Sequence, residues 1–110
     1  SGCDEVAQQV DAAAAGGAVI RCGGKRLDRP GWFYPPTVIT DISRDMPIFT
    51  EEVFGPVASV YRAADIDEAI GIANASPFGL GSNAWTRDEA EIRRCVDEIE
   101  AGQVFINGMT

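Results

Sequence analysis

Thr86-Arg-Asp-Glu-Ala-Glu-Ile-Arg-Arg-Cys-Val-Asp-Glu-Ile-Glu-Ala-Gly-Gln-Val-Phe-Ile-Asn107 is the stretch that decides the fold of this 110-residue chain. Within it Ile92, Cys95, Val96 and Ile99 recur at i, i+3, i+4 and i+7, the apolar stripe of an amphipathic helix, and Gly102 follows as a stop. The spacing predicts a helix over 87–100 and a strand over 103–107. Working upstream, a β-rich run over 57–61, a helix over 65–75 and a strand over 80–85 complete the order βαβαβ. Asp65 with Glu68, and Thr86 with Glu89, each have the spacing of a reciprocal N-terminal cap. Strands separated by helices pair in parallel through right-handed crossovers. The expected class is therefore α/β, a layered α/β/α arrangement with a mostly parallel sheet.

The N-terminal half adds an alanine-rich helix near 3–15, with Val6, Val10, Ala13 and Ala14 as its apolar stripe and Gly16-Gly17 as its end. Alanine favours helix but buries little, so this helix must lean on partners. Strands at about 18–22 and 37–42 enclose a loop rich in Gly, Arg and Pro. Gly23-Gly24-Lys25 superficially suggests a phosphate loop, yet Val19 occupies the required first glycine and Arg26 the Ser/Thr position, so that reading is rejected. No G-x-G-x-x-G follows the 58–61 run, where Arg62-Ala-Ala-Asp65 stands instead.

Length and composition fit one unit spanning 1–110, and 45% apolar with 24% charged residues is ordinary for a globular chain. Nine basic residues against seventeen acidic ones, a net charge of -8, argue against nucleic acid, whose phosphates demand a basic patch. No run approaches the ~18 apolar residues of a membrane span, and no charged-then-apolar leader appears at Ser1. A cytoplasmic protein is expected. The three cysteines form no C-x-x-C pair and the chain has no histidine, so neither a disulfide framework nor a metal site is expected. Cys95 reads as a small core hydrophobe, and Cys22 has no histidine to activate it.

The chemistry concentrates in Glu51-Glu-Val-Phe-Gly-Pro-Val57. An acceptor-only carboxylate at 52 and an aromatic ring at 54, two residues apart in an extended backbone, aim at one object. A nicotinamide riboside is such an object: its ribose hydroxyls can donate to Glu52 while the ring of Phe54 packs by the flat base. The bland reading, a solvated or helix-start carboxylate beside a core phenylalanine, stands next to it. Gly55 reads as the residue that permits a sharp turn, and Pro56 as one that fixes φ and removes a donor.

Several stretches together resemble the NAD(P)-dependent aldehyde dehydrogenases, in that family's order. Tyr34-Pro-Pro-Thr-Val-Ile39 is similar to the family's "P-T-h" strand, and Met46-Pro-Ile-Phe-Thr-Glu-Glu-Val-Phe-Gly-Pro-Val57 to its cofactor-contact motif. Ala73-Asn-Ala-Ser-Pro-Phe-Gly-Leu80 matches the "A-N-x-x-x-[YF]-G-L" turn, and Ala84-Trp-Thr-Arg-Asp88 and Gly102-Gln-Val-Phe-Ile-Asn107 follow. Within the family, Phe105-Ile-Asn-Gly-Met-Thr110 most resembles the bacterial succinate-semialdehyde dehydrogenases. The resemblance implies a cofactor, NAD or NADP, contacted at its nicotinamide riboside end by Glu52 and Phe54, with Leu80 at the same site or, alternatively, in plain core packing. It implies an aldehyde-anchoring loop beginning at Asn107, with Thr110 a candidate donor to the substrate. The family's nucleophilic cysteine sits in a Gly-Gln-x-Cys setting that Cys3, Cys22 and Cys95 all fail to match. No catalytic residue is therefore expected here: the chain reads as a C-terminal piece of the catalytic domain, inactive alone, from an enzyme that forms dimers or tetramers. Arg26, Arg29 and Arg44 read as solvated loop residues rather than substrate ligands. The alternative from another class is a free-standing acidic α/β binding or assembly module without catalysis.

Overall fold

The computed structural model describes residues 1–109. Thr110, the candidate substrate donor, lies outside the described residues. Whereas length alone suggests one unit, the chain divides into two compact units, the first Ser1–Tyr61 and the second from Arg62 onward.

In the first unit, helix α1 (Gly2–Ala15) starts on a capping box: the Ser1 hydroxyl accepts from the Asp4 amide and the Asp4 side chain reaches back to the cap. The Ser1 hydroxyl, followed by the terminal amine and Arg26, holds the Asp4 carboxyl below its ordinary value. Val6, Val10 and Ala13 are buried, whereas Ala14 is exposed, so the apolar stripe is one residue narrower than the sequence suggests. Strand β1 (Val19–Cys22) pairs antiparallel with β2 (Thr37–Thr40), with a bulge between Ile20 and Cys22. A short 3-10 turn over Pro47–Phe49 leads toward β3 (Val57–Ser59), which lies parallel to β2 with Thr37 opposite Val57 and Ile39 opposite Ser59. Ile39, fully buried, stands at the middle of a core formed with Val6, Val10, Ala13, Ala18, Met46 and Ile48.

In the second unit, α2 (Ile66–Ala73), β4 (Ser82–Ala84), α3 (Glu89–Glu98) and β5 (Val104–Ile106) follow the expected order, each shorter than predicted. Strands β4 and β5 pair in parallel, with Asn83 opposite Phe105, and α3 packs on β5. The result is a mixed α/β fold in which the β2–β3 and β4–β5 pairings are parallel. The strand that opens the βαβαβ run differs from expectation in its partner: β3 adds to β2 in the first sheet, because the loop through the 3-10 turn returns it there, and β4–β5 form a separate two-stranded sheet.

Helix caps explain where the helices begin. Asp65 accepts from the Glu68 amide at 2.8 Å as foreseen, but the Glu68 carboxylate reaches one residue further back, to the Ala64 amide at 2.7 Å. For α3 the cap is Asp88 rather than Thr86. Its carboxylate accepts from the amides of Ala90 and Glu91 at 2.8 and 3.0 Å, while the Thr86 hydroxyl takes the Asp88 amide and donates to Glu91. One oxygen of the Asp88 carboxylate, Oδ1, takes both of these open helix amides, while the Thr86 hydroxyl, two residues further back, is occupied by the Asp88 amide. On α3, Cys95 is buried as expected and Val96 is half exposed. Arg94 joins α2 to α3 by pairing with Asp67 at 2.6 Å and with Glu98 at 2.6 Å. No helix among the described residues is long and apolar enough to cross a membrane.

Candidate functional site

Residues 51–57 are fixed from four directions within the first unit. Gln9 on α1 donates its amide to the Glu52 carbonyl at 3.1 Å and to the Glu51 carboxylate at 3.3 Å. Val53 packs against the core. Gly55 passes so close to α1 that a Cβ there would stand 2.7 Å from Val6 Cγ2. The Pro56 carbonyl accepts from the Thr37 amide at 2.8 Å, which joins the end of the loop to the sheet.

The backbone here is not the extended strand that the sequence suggests. The Gly55 amide bonds to the Val53 carbonyl at 3.0 Å and the Val57 amide to the Gly55 carbonyl at 2.8 Å, two successive three-residue turns centred on Phe54 and Pro56. Proline's fixed φ suits the middle of such a turn. Gly55 itself has no positive φ, so its smallness serves close approach to Val6 rather than an unusual turn conformation.

With Val53 anchored inward, both neighbours are left outside: Glu52 is exposed and Phe54 is 87% exposed. Phe54 is therefore no core residue of this unit, and Glu52 caps no helix. The Glu52 carboxylate has no hydrogen bond or ion pair among the described residues, so all of its acceptor capacity is open to a donor. These two observations test the fit to a nicotinamide riboside: free carboxylate oxygens for the ribose hydroxyls and an uncovered aromatic face for the base.

Phe54 also forms one wall of a groove of about 460 Å³ that Trp32, Tyr34, Cys3, Gly55 and Pro56 help to line. Trp32 and Tyr34 were not among the expected site residues, although the aromatic run Trp32-Phe33-Tyr34 between Pro30 and Pro35 was a legible signal. Burial, then the nearby Asp11 carboxylate, raises the Tyr34 phenol above its ordinary value of 10.0. Its oxygen is buried without a hydrogen-bond partner among the described residues. The loop arginines are engaged locally: Arg26 pairs with Asp4 at 2.9 Å and lies over Trp32, Arg29 lies over Phe33 and Arg44 over Phe49.

Leu80 belongs to the second unit, where it is 93% exposed, so core packing within that unit does not explain it. Further along, Asn107 stands at φ 52° just after β5. Its side-chain amide donates to the Thr86 carbonyl at 2.9 Å and its side-chain oxygen accepts from the Thr86 amide at 3.0 Å. One side chain thus continues the parallel ladder past the end of the strands.

The chain belongs to the aldehyde dehydrogenase family, whose model matches residues 1–110. It is 80% identical over 99% of its length to the succinate-semialdehyde dehydrogenase [NADP(+)] 1 of Mycobacterium tuberculosis, of which it covers 24%. Among solved structures it is similar to lactaldehyde dehydrogenase from Escherichia coli, at 33% identity and a TM-score of 0.91, covering 99% of this chain and 24% of that one. It is likewise similar to a succinic semialdehyde dehydrogenase from Streptococcus pyogenes solved in complex with NADP+, at 36% identity and a TM-score of 0.88, with 99% and 24% covered. The chain thus spans about a quarter of the length of the relatives it matches.

Proposed function

We propose that this chain is the part of an aldehyde-oxidising enzyme that positions the nicotinamide riboside of NAD or NADP, with succinate semialdehyde as the aldehyde. The observation that carries the proposal is the display of Glu52 and Phe54 outside the core by the inward anchoring of Val53. The 80% identity to an NADP-dependent succinate-semialdehyde dehydrogenase supports the substrate and makes NADP the favoured cofactor. When bound, the nicotinamide ring supplies the hydride acceptor of the oxidation. Glu52 would accept hydrogen bonds from the ribose hydroxyls, Phe54 would pack by the base, and Leu80 would add an apolar contact. Thr110 remains the proposed donor to the aldehyde's distal carboxylate. In this reading the protein is cytoplasmic and homo-oligomeric, and its reacting thiol and general base are supplied outside this chain.

A free-standing acidic module is not favoured, because the resemblance to dehydrogenases runs the whole length of the chain. The test is Glu52→Gln in the intact enzyme containing this chain. Removing a charge-assisted acceptor should slow a single turnover by about 10- to 100-fold with little change in melting temperature. An unaltered single-turnover rate together with unaltered cofactor affinity refutes the role.

A further inference from the structure

Leu80 is so exposed that nothing on its own side chain holds it in place, yet the backbone on which it stands is interlocked with a second turn. The Asn74 side-chain amide donates to the Glu98 carbonyl at 2.7 Å, and its oxygen accepts from the Glu100 amide at 2.8 Å. Five residues on from Asn74, the Gly79 carbonyl accepts from the Gly102 amide at 2.8 Å. The two turns touch so closely that a Cβ at Gly79 would stand 2.9 Å from the Glu100 carbonyl oxygen, and one at Gly102 would stand 2.9 Å from the Leu80 carbonyl oxygen. Both ends of the 74–80 turn are thereby tied to 98–102, and glycine at each contact leaves no side chain to hold them apart.

We propose that Asn74 is a positioning residue for the cofactor site: by clamping the chain after α3 to the start of the 74–80 turn, it fixes the direction in which Leu80 is presented. The inference rests on the reading of Leu80 as a cofactor contact. Asn74 touches no cofactor itself. An aspartate at 74 keeps the acceptor for Glu100 but turns a donor into a carboxylate facing the Glu98 carbonyl, so one half of the clamp becomes repulsive. Gly102→Ala pushes a methyl against the Leu80 carbonyl and disturbs the same interlock from the other side, leaving Asn74 untouched.

The experiment uses the intact enzyme containing this chain and measures the dissociation constant of NADPH by fluorescence titration, the KM of the aldehyde, and the melting temperature. Leu80→Ala, a surface truncation, reports on the site itself and should weaken NADPH about 5- to 10-fold. Asn74→Asp and Gly102→Ala should each weaken NADPH by a similar factor while the aldehyde KM holds, a split that a merely structural role would not produce. If Leu80→Ala leaves NADPH affinity unchanged, the cofactor reading of Leu80 fails and the inference falls with it. If Leu80→Ala weakens NADPH but either clamp variant, folded, binds it as the parent does, the positioning role alone is overturned, whatever the melting temperature does. Should one clamp variant not fold, the other decides.

Discussion

The two units are held together by different physics. In the first, α1 and the β1–β2–β3 sheet close on a continuous apolar core with Ile39 at 0% exposure. In the second, only Ile70 and Cys95 are buried hydrophobic residues among the described residues. Its turns are instead fastened by amide side chains that use both ends, Asn74 to Glu98 and Glu100 and Asn107 to Thr86, and its helices by Arg94, which pairs with Asp67 and Glu98. Burial is non-directional and tolerates some repacking, whereas an amide clamp is directional and fails all at once when one partner is lost. The exposed candidate site residues are accordingly presented in two ways, Glu52 and Phe54 by anchoring an apolar neighbour and Leu80 by a hydrogen-bonded interlock.

Four perturbations sharpen or break this contrast. The largest effect is expected from Ile39→Ala, which should lower stability by about 2–5 kcal/mol through lost transfer energy and a cavity; a urea unfolding midpoint that scarcely moves would mean the first unit lacks the core described. Gly55→Ala should cost about 1–3 kcal/mol, because the added methyl overpacks against Val6. If it proves neutral, the loop is not pressed on α1. Asn107→Ala removes two hydrogen bonds and leaves alanine in a left-handed conformation, for an expected loss of about 1–3 kcal/mol. Asn107→Gly, which relieves only the backbone strain, should recover part of that loss in the same unfolding measurement.

The smallest effect concerns pH. Hydrogen bonding from Arg94 holds the Glu98 carboxyl below its ordinary value of 4.5. A group depressed in the folded state contributes stability that is present above the unfolded value and lost as pH falls through the folded one. Acidification below about 4.5 should therefore weaken the Arg94–Glu98 pair within α3, only slightly since the pair is exposed. In Arg94→Gln the acid limb of a thermal-unfolding profile should flatten; an identical limb in parent and variant would remove the pair from the account.

Much of the fold was legible because it is local. The helical stripe of Ile92, Cys95 and Ile99, the Asp65 cap and the Gly16 stop all lie within a few residues of the elements they define, whereas α3 ends on Ile99, three residues before the expected Gly102 stop. What escaped the sequence depends on distant partners. The Gln9 tether to Glu52 spans 43 residues, and the clamp of Asn74 on Glu100 spans 26. Likewise, the pairing of β3 with β2 rather than β4 is set by how the 41–56 loop returns, which no periodicity encodes. The site followed the same division. The residue types at Glu52 and Phe54 were readable, but the tight turns that present them arise because Val53 must reach the core and Gly55 must pass close to α1. The groove beside Phe54 was missed because its aromatic wall comes from a loop read only as Gly-, Arg- and Pro-rich.

The central claim is that Glu52 and Phe54 are held outside the core to receive the nicotinamide end of the cofactor. A crystal structure of the intact enzyme with NADP+ bound tests it most directly. The expected result is the Glu52 carboxylate within about 3 Å of the nicotinamide ribose hydroxyls, with the Phe54 ring against the base. A bound cofactor whose ribose hydroxyls are satisfied by other residues, with Glu52 still facing solvent, would contradict it.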